Sequence, residues 1–151
     1  MHKARVRTLQ ALVSGLPSLA TGPSLTGIRA EFGEVYAVRK VRRATRRRLL
    51  EVLHSTRALD TALRAFVAHH GCRTSRVPVP TSLGQYLYAL RDHTVAGLGR
   101  FTEPQRAHFM SSIVIPRNRY MHEAGLFPTA DADIQTLLSE MDACLAAVSR
   151  L

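Results

Sequence analysis

Arg117 and Asn118 are followed after three residues by His122, in the segment Ile115-Pro-Arg-Asn-Arg-Tyr-Met-His-Glu-Ala-Gly125. A guanidinium, an amide and an imidazole this close together suit chemistry at a phosphate. Arg stays charged and forks onto phosphate oxygens. Imidazole, with a reference pKa of about 6.5, exchanges protons near neutrality. RNA carries its own nucleophile, the 2′-hydroxyl, so its cleavage needs a proton acceptor, a proton donor and a cation for the developing charge. Arg117 is expected to stabilise that charge and His122 to transfer protons. Asn118 and His122, four apart, share a helical face, so Asn118 can orient the ring or touch substrate. Arg117 and His122 are five apart, about 140° around a helix. That separation favours a symmetric homodimer in which one copy's Arg complements the other's His. A helix opening after Pro116 would also give Arg117 an anion-favouring first turn. The bland alternative makes Asn118 a helix-start residue and His122 a half-buried core histidine. The same bare spacing recurs in Arg64-Ala-Phe-Val-Ala-His69, where it ends a helical pattern.

Charge agrees with a phosphate partner. The formal net charge is +10 over 151 residues, and 19 of the 21 cations are Arg, leaving only Lys3 and Lys40. Nucleic acid is the expected partner class, although GC-rich coding alone also enriches Arg. Arg39, Arg43, Arg46, Arg57 and Arg64 are expected on one face of a long helix, beside Lys40 and Arg47. They would form a track for RNA phosphates, joined by Arg119. A solvated face, or contact with an acidic partner, fits the same pattern. Tyr86 and Tyr88, near Arg91, could stack bases or sit at the core's edge.

Other chemistries find no foothold. No His, Cys and Asp set has zinc spacing, and there is no phosphate-binding Gly-rich loop or G-x-S-x-G elbow. No metal or cofactor is expected. Cys72 and Cys144 do not make a disulfide framework and point to a reducing compartment. The first 30 residues are basic and acid-free, faintly like a transit peptide. The apolar stretch Leu9–Ala20 is broken by Gln10, Ser14, Gly15 and Pro17, so export is not expected. No run reaches the ~18 apolar residues needed to span a bilayer. The expected location is cytoplasmic, without membrane contact.

The elements that must position these residues are helical. Residues 3–14 place Val6, Leu9, Leu12 and Val13 on one side, and Gly22–Gly27 looks like a linker. From Ile28 to His70, apolar positions from Val38 through Leu49, Val52, Leu59 and Leu63 to Phe66 recur at steps of three and four. A break near Ala44–Arg48 is expected in so long a run. Gly71 and Arg76-Val-Pro-Val-Pro80 interrupt. Thr81 or Ser82 caps a helix through Leu83, Leu87, Leu90 and Val95. Thr102-Glu-Pro-Gln opens another, Pro116 punctuates, and a short helix runs to Ala124. Asp131 or Asp133 begins a last helix carrying Ile134, Leu138, Met141, Leu145 and Val148. The expected fold is all-α, a single-domain bundle of five or six helices. Residues 1–27 would be a basic helix and linker, and residues 28–151 the main body of one domain.

The Arg117-Asn118-x3-His122 segment, placed before a final helix, resembles the motif of the HEPN superfamily, R-x(4–6)-H with a polar residue after the Arg. Ser82-Leu-Gly-Gln-Tyr-Leu87 is similar to the helix that often precedes that motif. The resemblance covers residues 80–148; over 1–79 it is helical pattern alone. It implies an up-and-down bundle, a homodimer with a composite cleft, and metal-independent endoribonuclease activity. It further implies a toxin–antitoxin or defence role with a cognate antitoxin. Several ribonuclease members carry a Tyr two residues after the His, where this chain has Ala124. The alternative within the resemblance is therefore a catalytically silent, RNA-binding or accessory subunit that partners a nucleotidyltransferase or another enzyme. A helical transcriptional regulator ranks last, since no helix–turn–helix pattern is visible.

Overall fold

Residues 2–19 and 23–151 are described by a computed structural model. Every regular element among them is helical, as expected for an all-α bundle. Helix α1 (His2–Gly15) buries Val6, Leu9 and Val13, one face at helical spacing. A 3-10 turn, Pro17–Leu19, comes next. Helix α2 (Pro23–Ala37) buries Ile28, Phe32 and Val35. The linker expected over Gly22–Gly27 is thus corrected: from Pro23 on it is helix. Proline's fixed φ suits a first helical position, where no intrahelical N–H bond is lost. Gly22 itself lies outside the described residues.

The long helical run does break, a little before the expected place. A 3-10 turn, Val38–Lys40, leads to Val41 and Arg43 in extended conformation. Two β-branched residues and four closely spaced cations (Arg39, Lys40, Arg42 and Arg43) make this a poor stretch for helix. Helix α3 (Ala44–His70) then carries the core stripe of Val52, Leu59, Leu63 and Phe66. It ends at Gly71 with φ of 68°, where the Cys72 N–H reaches the Val67 carbonyl at 2.9 Å.

Helix α4 (Leu83–Asp92) is capped by Ser82, which accepts from the Gln85 N–H, while the Gln85 side chain accepts from the Thr81 N–H at 2.8 Å. It stops at Asp92, short of Val95, which the apolar spacing includes. The cause is His93, whose buried ring bonds the Gly99 carbonyl at 3.0 Å and accepts from the Val95 N–H at 3.3 Å. Those bonds hold the chain in a turn. Helix α5 (Glu103–Phe109) opens on a capping box between Thr102 and Gln105.

The structure departs most from expectation at Pro116. Helix α5 does not end there; it passes through a π-helical turn, Met110–Val114, into α6 (Ile115–His122) as one continuous rod. The Ile115 N–H bonds the Met110 carbonyl, five residues back. Proline lacks an N–H and clashes with the carbonyl four residues earlier; the widened turn accommodates it. Arg117 is therefore interior to a rod, so the helix-opening environment expected for it is absent. The rod stops at His122, with Glu123 extended, two residues before Ala124.

Helix α7 (Asp131–Val148) buries Ile134, Leu138, Met141, Cys144, Leu145 and Val148. The Asp133 carboxylate accepts from the Thr129 and Ala130 N–H groups, each at 2.9 Å. α1 packs on α7, and α3 lies at the centre, touching α2, α4, α6 and α7. Counting the α5–π–α6 rod once, six helices among the described residues enclose one core. Leu63, with no exposed surface, sits on that central helix. Leu63→Ala should cost about 2–5 kcal/mol of unfolding free energy, whereas Val79→Ala, at a site 71% exposed, should change it by less than about 0.5 kcal/mol. Urea denaturation of both variants checks the contrast.

Candidate functional site

One face of α3, away from its core stripe, carries Arg57, Asp60 and Arg64 at helical spacing. Together with Ser82 at the head of α4 and Arg117 and Asn118 of α6, these residues line a cleft of about 530 Å³. Gly84 lets the walls close up: a Cβ there would lie 3.3 Å from Met110 Cε and 3.8 Å from Val114 Cγ1. Helix α4 thus rests directly on the π turn that re-aims α6.

The Arg117 guanidinium donates to Asn118 Oδ1 at 2.9 Å. That bond ties the cation to its neighbouring amide at the cleft wall, where Arg117 also acts on Asp60. His122 is exposed, at the last position of α6. It stands one turn beyond Asn118 on the same face, about 6 Å along the axis. It does not line the cleft. Both bland alternatives fall: His122 is not a core residue, and Asn118 does not start a helix.

Asp60 is the group that sequence reasoning missed. It is half-buried between cations, and burial raises its pKa against the opposing pull of Arg64 and Arg117. Its signal was present, since Asp60 stands between Arg57 and Arg64 on one helical face, yet only tertiary packing shows that this face borders α4 and α6. Arg57 is partly neutralised by Glu31 Oε1 at 3.0 Å, whose other oxygen meets His54 Nδ1 at 2.7 Å.

The expected Arg track on one long helix is not there. Arg39 lies in the 3-10 turn and Arg43, in extended conformation, precedes α3, so neither shares a helix with Arg46, Arg47 and Arg57. Arg39, Arg43 and Arg46 are exposed, with Lys40 and Arg42, at the α2–α3 corner. Arg47 is drawn to Asp131 at 3.1 Å, as is Arg48 at 2.7 Å. Arg119 is exposed and meets Glu123 at 3.4 Å. Of the second Arg–His spacing, Arg64 lines the cleft and His69 does not. Of the two tyrosines, Tyr86 is buried and offers no stacking surface, while Tyr88 is partly exposed with the Arg106 and Arg91 guanidiniums 4.6 and 5.1 Å from its ring centroid. Both cations are held in turn by Glu103.

Beside α6, a second groove of about 450 Å³ includes Ile115, Tyr120 and Phe127. Ile115 is 51% and Phe127 41% exposed, unusual for large apolar side chains. Among the described residues, no group of three His, Cys, Asp or Glu side chains is arranged to hold a metal ion, and no helix is long and apolar enough to cross a membrane.

Comparison with protein families, curated proteins and solved structures finds no match for this chain.

Asp60 yields a pH test. Its folded carboxyl keeps a proton at higher pH than the ordinary aspartate value of 3.8, so the folded state binds more protons between the two values. The stability this brings is complete below the unfolded value and lost as pH rises through the folded one. Asp60→Asn abolishes that loss. Relative to the parent, the variant should therefore gain stability between pH 4 and pH 7 in urea denaturation; an unchanged difference would contradict the placement of Asp60.

Proposed function

We propose that this chain acts on RNA as a metal-independent endoribonuclease, with Arg117, Asn118 and His122 as its working residues. One observation carries the proposal: an exposed imidazole stands one helical turn from an amide and a guanidinium that line a cationic cleft. A phosphodiester lying along α6 would meet Arg117 and Arg64 first, by charge-assisted hydrogen bonds to its non-bridging oxygens. His122 would take the proton of the 2′-hydroxyl as its oxygen bonds to phosphorus. The bond from phosphorus to the 5′-oxygen would break, and that oxygen would take a proton from a second imidazole. The products are a 2′,3′-cyclic phosphate and a 5′-hydroxyl.

The second imidazole would come from another copy of the chain. Ile115 and Phe127 supply apolar surface on the same helix and the loop after it, which suits pairing through α6. Activity of this kind fits a cytoplasmic toxin of a toxin–antitoxin or defence pair, held in check by a cognate antitoxin. The HEPN resemblance of the motif supports this assignment.

A second reading has its own support. His122 lies outside the cleft of a single copy, and Ala124 stands where ribonucleases of the resembled superfamily often have Tyr. On those grounds the chain is a silent RNA-binding or accessory subunit, working with a nucleotidyltransferase or similar enzyme.

Incubation with single-stranded RNA in EDTA separates the two. The enzyme leaves 2′,3′-cyclic ends, and His122→Ala lowers the rate by about 10²–10⁴-fold with unchanged circular dichroism. Full activity in that variant would sink the catalytic assignment. Salt-sensitive binding without turnover would favour the accessory role.

A further inference from the structure

Next to the cationic cleft, and sharing Arg64 and Thr81 with it as a common wall, lies a pocket of about 400 Å³ of different character. The rest of its lining is mostly apolar, with Val67, Cys72, Pro78, Val79 and Pro80, and carries one further cation, Arg73. Val79 is 71% exposed, more than any other large hydrophobic side chain among the described residues. Two prolines hold it in place by fixing their own φ, so the wall is stiff before any ligand arrives. Leaving such a side chain in water is an ordinary cost when it stands alone. Here it stands at an apolar recess that opens beside three guanidiniums.

A free phosphate has no use for the apolar half of this arrangement. A fatty chain has no use for the cationic half. A nucleotide uses both, because its phosphate is anionic and its base presents two flat apolar faces. Its ribose spans the distance between them, which here would lie along Arg64 and Thr81.

We propose that the Val67–Val79 pocket is a base subsite, receiving the nucleobase of the nucleotide whose phosphate is held by Arg64 and Arg117. This rests on the cleft's role as a phosphate site, and it adds that the chain recognises unpaired nucleotides. A base inside a duplex could not turn its face to Val79, so single-stranded RNA is the substrate form that fits.

Titration of the isotope-labelled full chain with AMP and with ribose 5-phosphate, monitored by NMR, tests the proposal. AMP should bind about tenfold more tightly, the order expected for taking part of one base face out of water against aliphatic walls, and should shift the Val67 and Val79 methyl signals. Ribose 5-phosphate should leave those methyls unmoved. Val79→Ser, at an exposed site, should bring AMP down toward the ribose 5-phosphate affinity without changing the latter; Arg64→Gln should weaken both. Equal affinities for the two ligands, or an equal effect of Val79→Ser on both, overturns the base subsite alone. Failure of both ligands to bind overturns the phosphate cleft with it.

Discussion

A proline inside a helix must lose a hydrogen bond and make room for its ring, and how the chain meets that demand at Pro116 determines the site. The alternative visible in the local sequence was a stop and restart. Instead the chain widens one turn, with the Ile115 N–H reaching back five residues to Met110. A π turn takes up one residue more than an α turn, rotating the faces of α6 by about 100°. Arg117 and Asn118 thereby face α3 and α4 while Ile115 is left exposed. Gly84 eases the fit, because a Cβ there would press on the Met110 methyl at 3.3 Å and oblige that side chain to shift. The cleft forms where the widened turn of the rod meets the glycine of α4.

Electrostatics give the cleft its sign without making it unstable. Three guanidiniums facing one space would repel each other, and Asp60 between them answers part of that charge. Its own half-burial weakens the answer, leaving the cleft positive. Elsewhere the Arg surplus is absorbed differently. Arg47 and Arg48 close on Asp131 at the start of α7, and Arg91 and Arg106 share Glu103. A net charge of +10 is thus far from evenly available to a ligand. Exposed cations without such close acidic partners include Arg64 at the cleft and Arg39, Lys40, Arg42, Arg43 and Arg46 at the α2–α3 corner, and others, Arg29, Arg73, Arg76 and Arg100 among them, are spread over the rest of the surface.

The fold was largely legible in the sequence. The core stripes of α3 and α7 are periodic, and Ser82, Thr102 and Gly71 mark helix ends by their chemistry. Other features lie beyond the reach of local pattern. Nothing around Pro116 announces a π turn, since its signal lies in how the backbone compromises. Pro23 to Gly27 looks like a linker because Pro, Ser, Thr and Gly suit loops, yet Ile28 and Phe32 behind them anchor a helix. The Arg face presumes one unbroken helix, and the chain breaks at Val41–Arg43. At the site, the Arg117, Asn118 and His122 spacing was readable. The partners that make it a cleft, Asp60, Arg64 and Ser82, are distant in sequence and come together only on folding.

On the proposed function, a single strand of RNA engages the cleft between α3, α4 and α6, with the α2–α3 corner in a lesser role. Backbone-amide NMR with a short oligonucleotide blocked at its 2′-positions, and so inert to cleavage, measures this directly. Joint shifts are expected at Ser82–Gly84, Asp60–Arg64 and Arg117–His122, lost in Arg117→Ala. Shifts confined to Arg39–Arg46, with the cleft amides still, would contradict that engagement.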